Sequence, residues 1–345
     1  MLIAFIGTIL WDRKTGILAG FLAAVYPGLI VNSGRLYSET FATFLSCALL
    51  LLLSMIISGR ATSRALADRQ APTPEPPAKL ARIWRAGLAL PFLLGVLTAL
   101  LQMTRSVLTL ISIALVPVIF FCRKDKRKTY LVLFFIGFAL AFLPWLFLQR
   151  CTFGKTSLIV DRHGHFTFFL GNSPDTQGWL TFPYPDLSGV ESKSFFSILK
   201  LDLRQSPERW CKLMLDKPIR LFGVPWNEFR VSIGPISPDD QIAYHRFLLL
   251  LAALGVVTAL FEPAKRPGAR RIVFARLCVF SFFAYHCVYW LFETISRYAL
   301  PAVPCMILFA AAALGRATTK PFTLAKFRSL SLLLFTVAIF VMTCR

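Results

Sequence analysis

The chain has 345 residues, 56% of them hydrophobic, with a mean hydropathy of +0.64 and a net charge of +21. Soluble globular domains carry about 45–50% apolar residues, so an ordinary soluble domain is excluded. The basic balance would suit a nucleic-acid partner, but Lys and Arg also collect in the cytoplasmic loops of membrane proteins, and their placement along this chain follows that second rule.

The apolar excess lies in blocks almost free of charge, each long enough to cross a hydrocarbon core of about 30 Å as a helix. Backbone polar groups must be bonded internally in lipid, which makes such blocks helices; the short alternating strands of a membrane barrel are absent. Residues 1–10 are apolar but too short to span. They lack the basic leader and small-residue cleavage site of a signal peptide, and read as the second half of a cut helix. A short turn with Arg13 and Lys14 follows. Full spans are predicted at 17–32, 41–58, 86–104, 107–122, 129–149, 247–261, 272–292, 299–314 and 329–344. The expected fold is an all-α polytopic transmembrane bundle of about nine to ten helices. Its N-terminal part, 1–149, includes the loop 59–85, rich in Pro, Ala and Arg, which reads as a disordered cytoplasmic linker. Residues 150–246 form one large extracytoplasmic loop, and 247–345 the C-terminal helices. Within the large loop, Gly171-Asn172, Ser173-Pro174-Asp175 and Gln177-Gly178-Trp179 signal turns, whereas 195–203 and 207–215 suit helices lying in the membrane interface. No internal repeat of the kind many transporters carry is visible.

Alternate loops differ in charge. One set holds Arg13 and Lys14, then Arg60 through Arg85, Arg123 through Lys128, Lys265 through Arg271, and Arg316 through Arg328. The opposite short loops hold only Arg35, Arg105 and Arg297. The first set is therefore cytoplasmic.

Those three outer arginines stand where the charge rule disfavours them. Any one can be explained by snorkelling to lipid headgroups. Together, beside Glu39, Glu293 and Tyr298, they suggest a site, because a guanidinium offers a planar fork of donors to a phosphate. Such a site suits a lipid-phosphate sugar donor: the arginines would stabilise charge on the departing phosphate, and a carboxylate would receive the acceptor's proton. Glu39 is the candidate carboxylate, with a plain ion pair to Arg35 as its alternative. Asp161 followed by His163-Gly164-His165 is a weak metal signal, also readable as a contact to the donor headgroup; no metal or other cofactor is expected, although a divalent ion would be compatible. His245 is isolated, and His286, inside an apolar span, reads as a packed and hydrogen-bonded residue.

Five of the eight cysteines, Cys47, Cys278, Cys287, Cys305 and Cys344, lie in apolar spans, and Cys122 ends another. No CxxC pair supports zinc or redox chemistry. Cys151 and Cys211 share the large loop, as a disulfide or as two thiols. No P-loop, GxGxxG or Ser-His-Asp signature is present, and Asp occurs only in loops, which argues against an ion-coupled transporter or proton pump.

Several stretches resemble one family: Trp11 through Gly20 with Tyr26-Pro27, leading to Ser38-Glu39-Thr40; Gly95 through Thr104-Arg105; Leu143-Pro144-Trp145 followed by Phe153-Gly154-Lys155 and Leu170 through Asp175; and Ser296-Arg297-Tyr298-Ala299-Leu300-Pro301. Their order and placement resemble the membrane-embedded GT-C glycosyltransferases, including protein O-mannosyltransferases and aminoarabinose-type lipid A transferases, over nearly the whole chain. The resemblance implies a polyprenyl-phosphate-linked sugar as donor, a lipid, glycan or protein hydroxyl as acceptor, and inverting transfer at the outer membrane face. Glu39, Arg105, Arg297 and Tyr298 resemble the family's site positions, Arg35 less closely, and His163, His165 and Asn172 fall in the loop that would shape the acceptor site. Family members begin with a further helix and an outer loop bearing an acidic residue, usually Asp, and this sequence starts after it, as an N-terminally truncated member would. The short loops favour a bacterial inner membrane. A flippase for lipid-linked glycans, or a catalytically inactive membrane scaffold, are the alternatives.

Overall fold

The computed structural model describes residues 1–35, 37–58, 87–122, 126–157, 164–172, 197, 200, 203–204, 206–225, 232–260 and 269–317. All regular structure among them is helical. In chain order the helices are α1 (Leu2–Leu10), α2 (Arg13–Ala24), α3 (Pro27–Ser33), α4 (Ser38–Ser58), α5 (Ala89–Thr104), α6 (Thr109–Cys122), α7 (Arg127–Phe153), α8 (Gly164–Asn172), α9 (Pro207–Phe222), α10 (Pro238–Leu260), α11 (Ala269–Tyr285) and α12 (Val303–Ala317). Short 3₁₀ segments precede α6 (Ser106–Leu108), extend α11 (His286–Leu291) and precede α12 (Ser296–Ala302).

Five helical segments are long and apolar enough to cross a membrane: Ser38–Ser58, Arg127–Phe153, Pro238–Ala259, Arg270–Leu291 and Ser296–Arg316. The protein is thus an integral membrane protein. The expected span at 17–32 is instead a broken one, α2 and α3 meeting at 54°. Pro27 explains the break, since it has no N–H to continue α2 and its fixed φ suits the first turn of a new helix. The expected spans at 86–104 and 107–122 are helical but short; the 16 residues of α5 rise about 24 Å at 1.5 Å per residue. The expected linker 59–85 and span 329–344 lie outside the described residues. The described part therefore holds five spans by this measure, or six with the bent pair, of the eight expected within it.

The expected large loop is largely helical where it is described. Helix α7 runs to Phe153 and ends on Gly154, whose φ of +67° is the left-handed cap that glycine adopts most easily. Residues 171–172, expected as a turn, finish helix α8. The helix expected at 207–215 is longer, reaching Phe222. Helix α10 starts nine residues before the expected 247, at Pro238. Its start is a capping arrangement: Ser237 Oγ donates to Asp240 Oδ2 at 2.6 Å and the Asp240 amide donates back to Ser237 Oγ at 3.2 Å. Most of 195–203, and the signals at 173–175 and 177–179, lie outside the described residues.

The chain divides into two compact units. The first comprises Met1–Gly20, Phe41–Val160 and Ala259–Phe280. There, α5 and α7 cross at reciprocal glycines. A Cβ on Gly95 would meet the Phe134 carbonyl and come within 2.8 Å of Phe138 N; one on Gly137 would meet the Phe92 carbonyl, 3.0 Å from its carbon. Small residues allow such backbone contact where lipid offers no hydrophobic drive. Gly95→Ala and Gly137→Ala are each expected to destabilise by about 1–3 kcal/mol, seen as earlier thermal aggregation of detergent-solubilised protein; a wild-type melting profile for both would refute this crossing. Arg276, buried in the Arg270–Leu291 span, donates from Nε and Nη2 to the Leu10 carbonyl at 3.0 and 2.8 Å and sits 4.8 Å from the Trp11 ring. It caps the C-terminus of α1, which satisfies both an intramembrane cation and an orphan helix carbonyl.

The second unit comprises Phe21–Thr40, Asp161–Thr258 and Ser281–Arg345. Helix α12 is its most buried element: Cys305, Ile307, Leu308, Ala310 and Ala311 have no exposed surface, as expected of a helix apolar all round.

Candidate functional site

The second unit assembles the candidate site from two short segments, the turn between α3 and α4 and the approach to α12. Asn32 Nδ2 donates to the Gly28 carbonyl at 2.7 Å, and Thr40 Oγ1 donates to the Asn32 carbonyl at 2.9 Å. These bonds close the turn and place Glu39 in the first turn of α4, where the helix dipole favours a carboxylate. Ser38 Oγ donates to Glu39 Oε2 at 3.2 Å.

On the other segment, Phe292 and Ile295 are extended before the 3₁₀ helix Ser296–Ala302. Arg297 Nε lies 3.3 Å from Glu39 Oε1, and both side chains are largely removed from solvent, Arg297 retaining 24% exposure. The Arg297 guanidinium carbon sits 5.3 Å from the Tyr37 ring centre and 5.6 Å from that of Tyr298. Tyr298 stacks on Tyr289 at 5.0 Å and 25°, and its hydroxyl donates to Glu293 Oε2 at 3.4 Å. Arg35 approaches the Tyr37 ring at 5.8 Å. The result is a guanidinium fixed by a carboxylate and two aromatic rings, with a second guanidinium on one of those rings. It can present fixed donors to an anion without reorganising.

Of the expected site residues, Glu39, Arg297, Tyr298 and Arg35 thus come together. Glu39 pairs with Arg297, whereas the ion pair expected for it is with Arg35. Arg105 belongs to the first unit, where it leaves α5 in an extended conformation and its amide donates to the Leu101 carbonyl at 2.9 Å. His163 lies outside the described residues; His165 is in the first turn of α8, its side chain likewise outside them. Asn172 ends α8, and its amide is engaged by protein: Nδ2 donates to the Phe168 and Leu291 carbonyls at 2.9 and 2.8 Å, and Oδ1 accepts from Lys217 at 3.3 Å. Cys151 and Cys211 are free, exposed thiols.

Two residues escape sequence reading. Nothing local marks Tyr37 as the ring shared by two arginines. Lys217 could have been noticed, since it occupies the middle of an apolar stripe with Leu213 and Leu221 on α9.

Both unassigned histidines are held. His286 Nδ1 pairs with the Phe282 carbonyl at 2.9 Å, as expected of a packed residue. His245 is not isolated: Nε2 bonds the Phe222 carbonyl at 2.7 Å and Nδ1 the Tyr26 hydroxyl at 2.6 Å. A carbonyl only accepts, so Nε2 carries the hydrogen, and in the neutral ring Nδ1 receives the phenol's. The pair ties α10 to the break between α2 and α3, beside a small cavity that Ser296 also lines. Tyr26→Phe is expected to cost about 1–3 kcal/mol by stranding a buried ring nitrogen; His245→Phe also removes the bond to the Phe222 carbonyl, and the two losses are expected to sum to more than the double variant's, so strictly additive losses in a double-mutant melting series would dissolve the pairing.

Comparison with protein-family models, curated proteins and solved structures finds no match to this chain.

Proposed function

We propose that the protein is an inverting glycosyltransferase that moves a sugar from a polyprenyl-phosphate donor to a lipid, glycan or protein hydroxyl at the non-cytoplasmic face of a membrane, in keeping with a bacterial inner membrane. The observation that supports this reading most is Arg297, paired with Glu39 and close to the Tyr37 and Tyr298 rings, at the starting end of a span, which the charge alternation assigns to the outer boundary. A lipid phosphate lies at that depth while its tail stays in the bilayer.

In the reaction, the acceptor oxygen bonds to the anomeric carbon as the bond from that carbon to the phosphate oxygen breaks. The electron pair leaves with the phosphate, and Arg297, with Arg35, neutralises the charge that builds there; Arg105, in the first unit, carries the same assignment from the family resemblance alone. Tyr298 assists through its hydroxyl and its stack on Tyr289. Glu39 orients Arg297 and the acceptor, whose proton goes to a carboxylate.

The test is transfer of a labelled sugar from a defined polyprenyl-phosphate donor by the purified, reconstituted chain. Transfer by the wild type that falls at least tenfold in both Arg297→Ala and Arg105→Ala supports the reading. Wild-type rates in both variants would remove their assignment, and a wild type inert with every donor and acceptor class would remove the transferase.

A further inference from the structure

Helix α9 carries Leu213, Lys217 and Leu221 at i, i+4 and i+8, and all three are buried. Lys217 has no exposed surface at all. A leucine would complete that stripe without the desolvation that a buried ammonium suffers, so the cation points to a specific contact. Its Nζ donates to the Trp290 carbonyl at 2.7 Å and to Asn172 Oδ1 at 3.3 Å. Asn172 in turn donates to the next carbonyl, that of Leu291, at 2.8 Å. These two carbonyls end the 3₁₀ segment His286–Leu291, where helical acceptors lose their intrahelical partners and a positive charge is favoured.

The chain continues from this clamp straight into the candidate site. The Phe292 amide returns to the Tyr289 carbonyl at 3.1 Å, and the Glu293 amide donates to the Thr167 carbonyl of α8 at 2.7 Å. Phe292 meets Phe168 edge-on at 5.9 Å. Arg297 and Tyr298 follow five and six residues after Phe292, at the start of the next 3₁₀ segment. Helices α8 and α9 thus grip the root of the segment that carries the guanidinium, and the grip is charged on one side.

We propose that Lys217 is a positioning residue: its ammonium, acting through Asn172 and the Trp290 carbonyl, sets where the segment 292–298 presents Glu293, Arg297 and Tyr298. It touches no substrate. Its effect on transfer rests on the glycosyltransferase reading, whereas its effect on the segment does not.

Hydrogen exchange on the full chain in detergent micelles tests the structural half directly. In Lys217→Met, the amides of Phe292, Glu293 and Tyr298 exchange about tenfold or more faster, while those of α12 keep wild-type protection. Wild-type protection of 292–298 overturns the proposal, and so does equal loss in α12, which would mean general loosening. Should Lys217→Met not fold, Asn172→Asp provides the same reading: it keeps an acceptor for Lys217 but cannot donate to Leu291, and the same local loss is expected. In the transfer assay, Lys217→Met raises the KM for the polyprenyl-phosphate sugar about tenfold and Lys217→Arg largely restores it. A smaller folded fraction lowers the rate without moving KM, so an unchanged KM also overturns the positioning role. A wild type that transfers no sugar sinks the transferase reading and leaves hydrogen exchange to decide this one.

Discussion

Replacing Arg297 by Lys is expected to lower kcat/KM for sugar transfer about hundredfold, with most of the loss in kcat. Charge is conserved in this change, so the expected loss comes from geometry. The guanidinium is planar and offers several donors in a fixed fork, whereas an ammonium is a compact point charge on a flexible stem. Arg297 is flanked by the Tyr37 and Tyr298 rings at 5.3 and 5.6 Å, contacts each worth about 0.5–1 kcal/mol when partly exposed. Its Nε lies 3.3 Å from a Glu39 carboxylate oxygen, an ion pair that holds one edge of the fork. Lysine has no second edge to offer. Glu39→Gln should cost less than Arg297→Lys, because the rings still flank the guanidinium. In a double-mutant cycle between the two positions, the coupling should reach about 1–3 kcal/mol. Steady-state kinetics on reconstituted enzyme measures both. A twofold effect of Arg297→Lys, or strict additivity with Glu39→Gln, would reduce the Glu39–Arg297 pair to a surface ion pair of ordinary kind.

Much of this site was legible because it breaks a rule. Arginine at the outer boundary contradicts the charge pattern of the remaining loops, so Arg35 and Arg297 stood out, and Glu39 beside a span did too. The helical class was legible for an equally simple reason, since lipid leaves an apolar block few other structures. What hydropathy could not supply was where each helix begins and bends. The polar first turns of α10, with Asp239, Asp240 and Gln241, look like loop by hydropathy, yet Ser237 and Asp240 cap that helix. The bend at Tyr26-Pro27 was hidden because both sides are apolar, and only the missing N–H of Pro27 interrupts the ladder. Tertiary contacts were illegible for a further reason. The ring of Tyr37 draws Arg297 from a distant part of the chain, and Asn172 reaches Leu291 likewise. No local pattern encodes which distant partner a side chain will meet. Lys217 is the intermediate case: its place in an apolar stripe was visible, and its meaning required the carbonyl it faces.

Gly171 illustrates the same gap, and the second large effect is expected there. In the sequence, Gly171-Asn172 reads as a turn, where glycine would be present for its backbone freedom. The structure puts Gly171 in the last turn of α8, against the backbone of residues 292 and 293. A Cβ at this position would run into the Phe292 carbonyl group and come within 2.7 Å of Glu293 N. The nearest atoms it meets are all main chain, so no rotamer change relieves the clash, and the helix and the segment after residue 291 must part. That separation breaks the bond from Glu293 N to the Thr167 carbonyl. Gly171→Ala should therefore destabilise by about 1–3 kcal/mol and also reduce sugar transfer by about tenfold or more, since the displaced segment leads to Arg297. Gly34→Ala is the matched control. It lies in the turn that carries Glu39, closer in sequence to the site, yet its nearest neighbour to a new Cβ is the Val31 carbonyl at 3.8 Å, an ordinary contact. Melting temperature and transfer rate measured on both variants separate the two accounts. If glycine mattered for turn flexibility near the site, Gly34→Ala would be the damaging change. If close approach of two backbones is what glycine provides, Gly34→Ala behaves as wild type and Gly171→Ala loses stability and activity together, because one contact supports both.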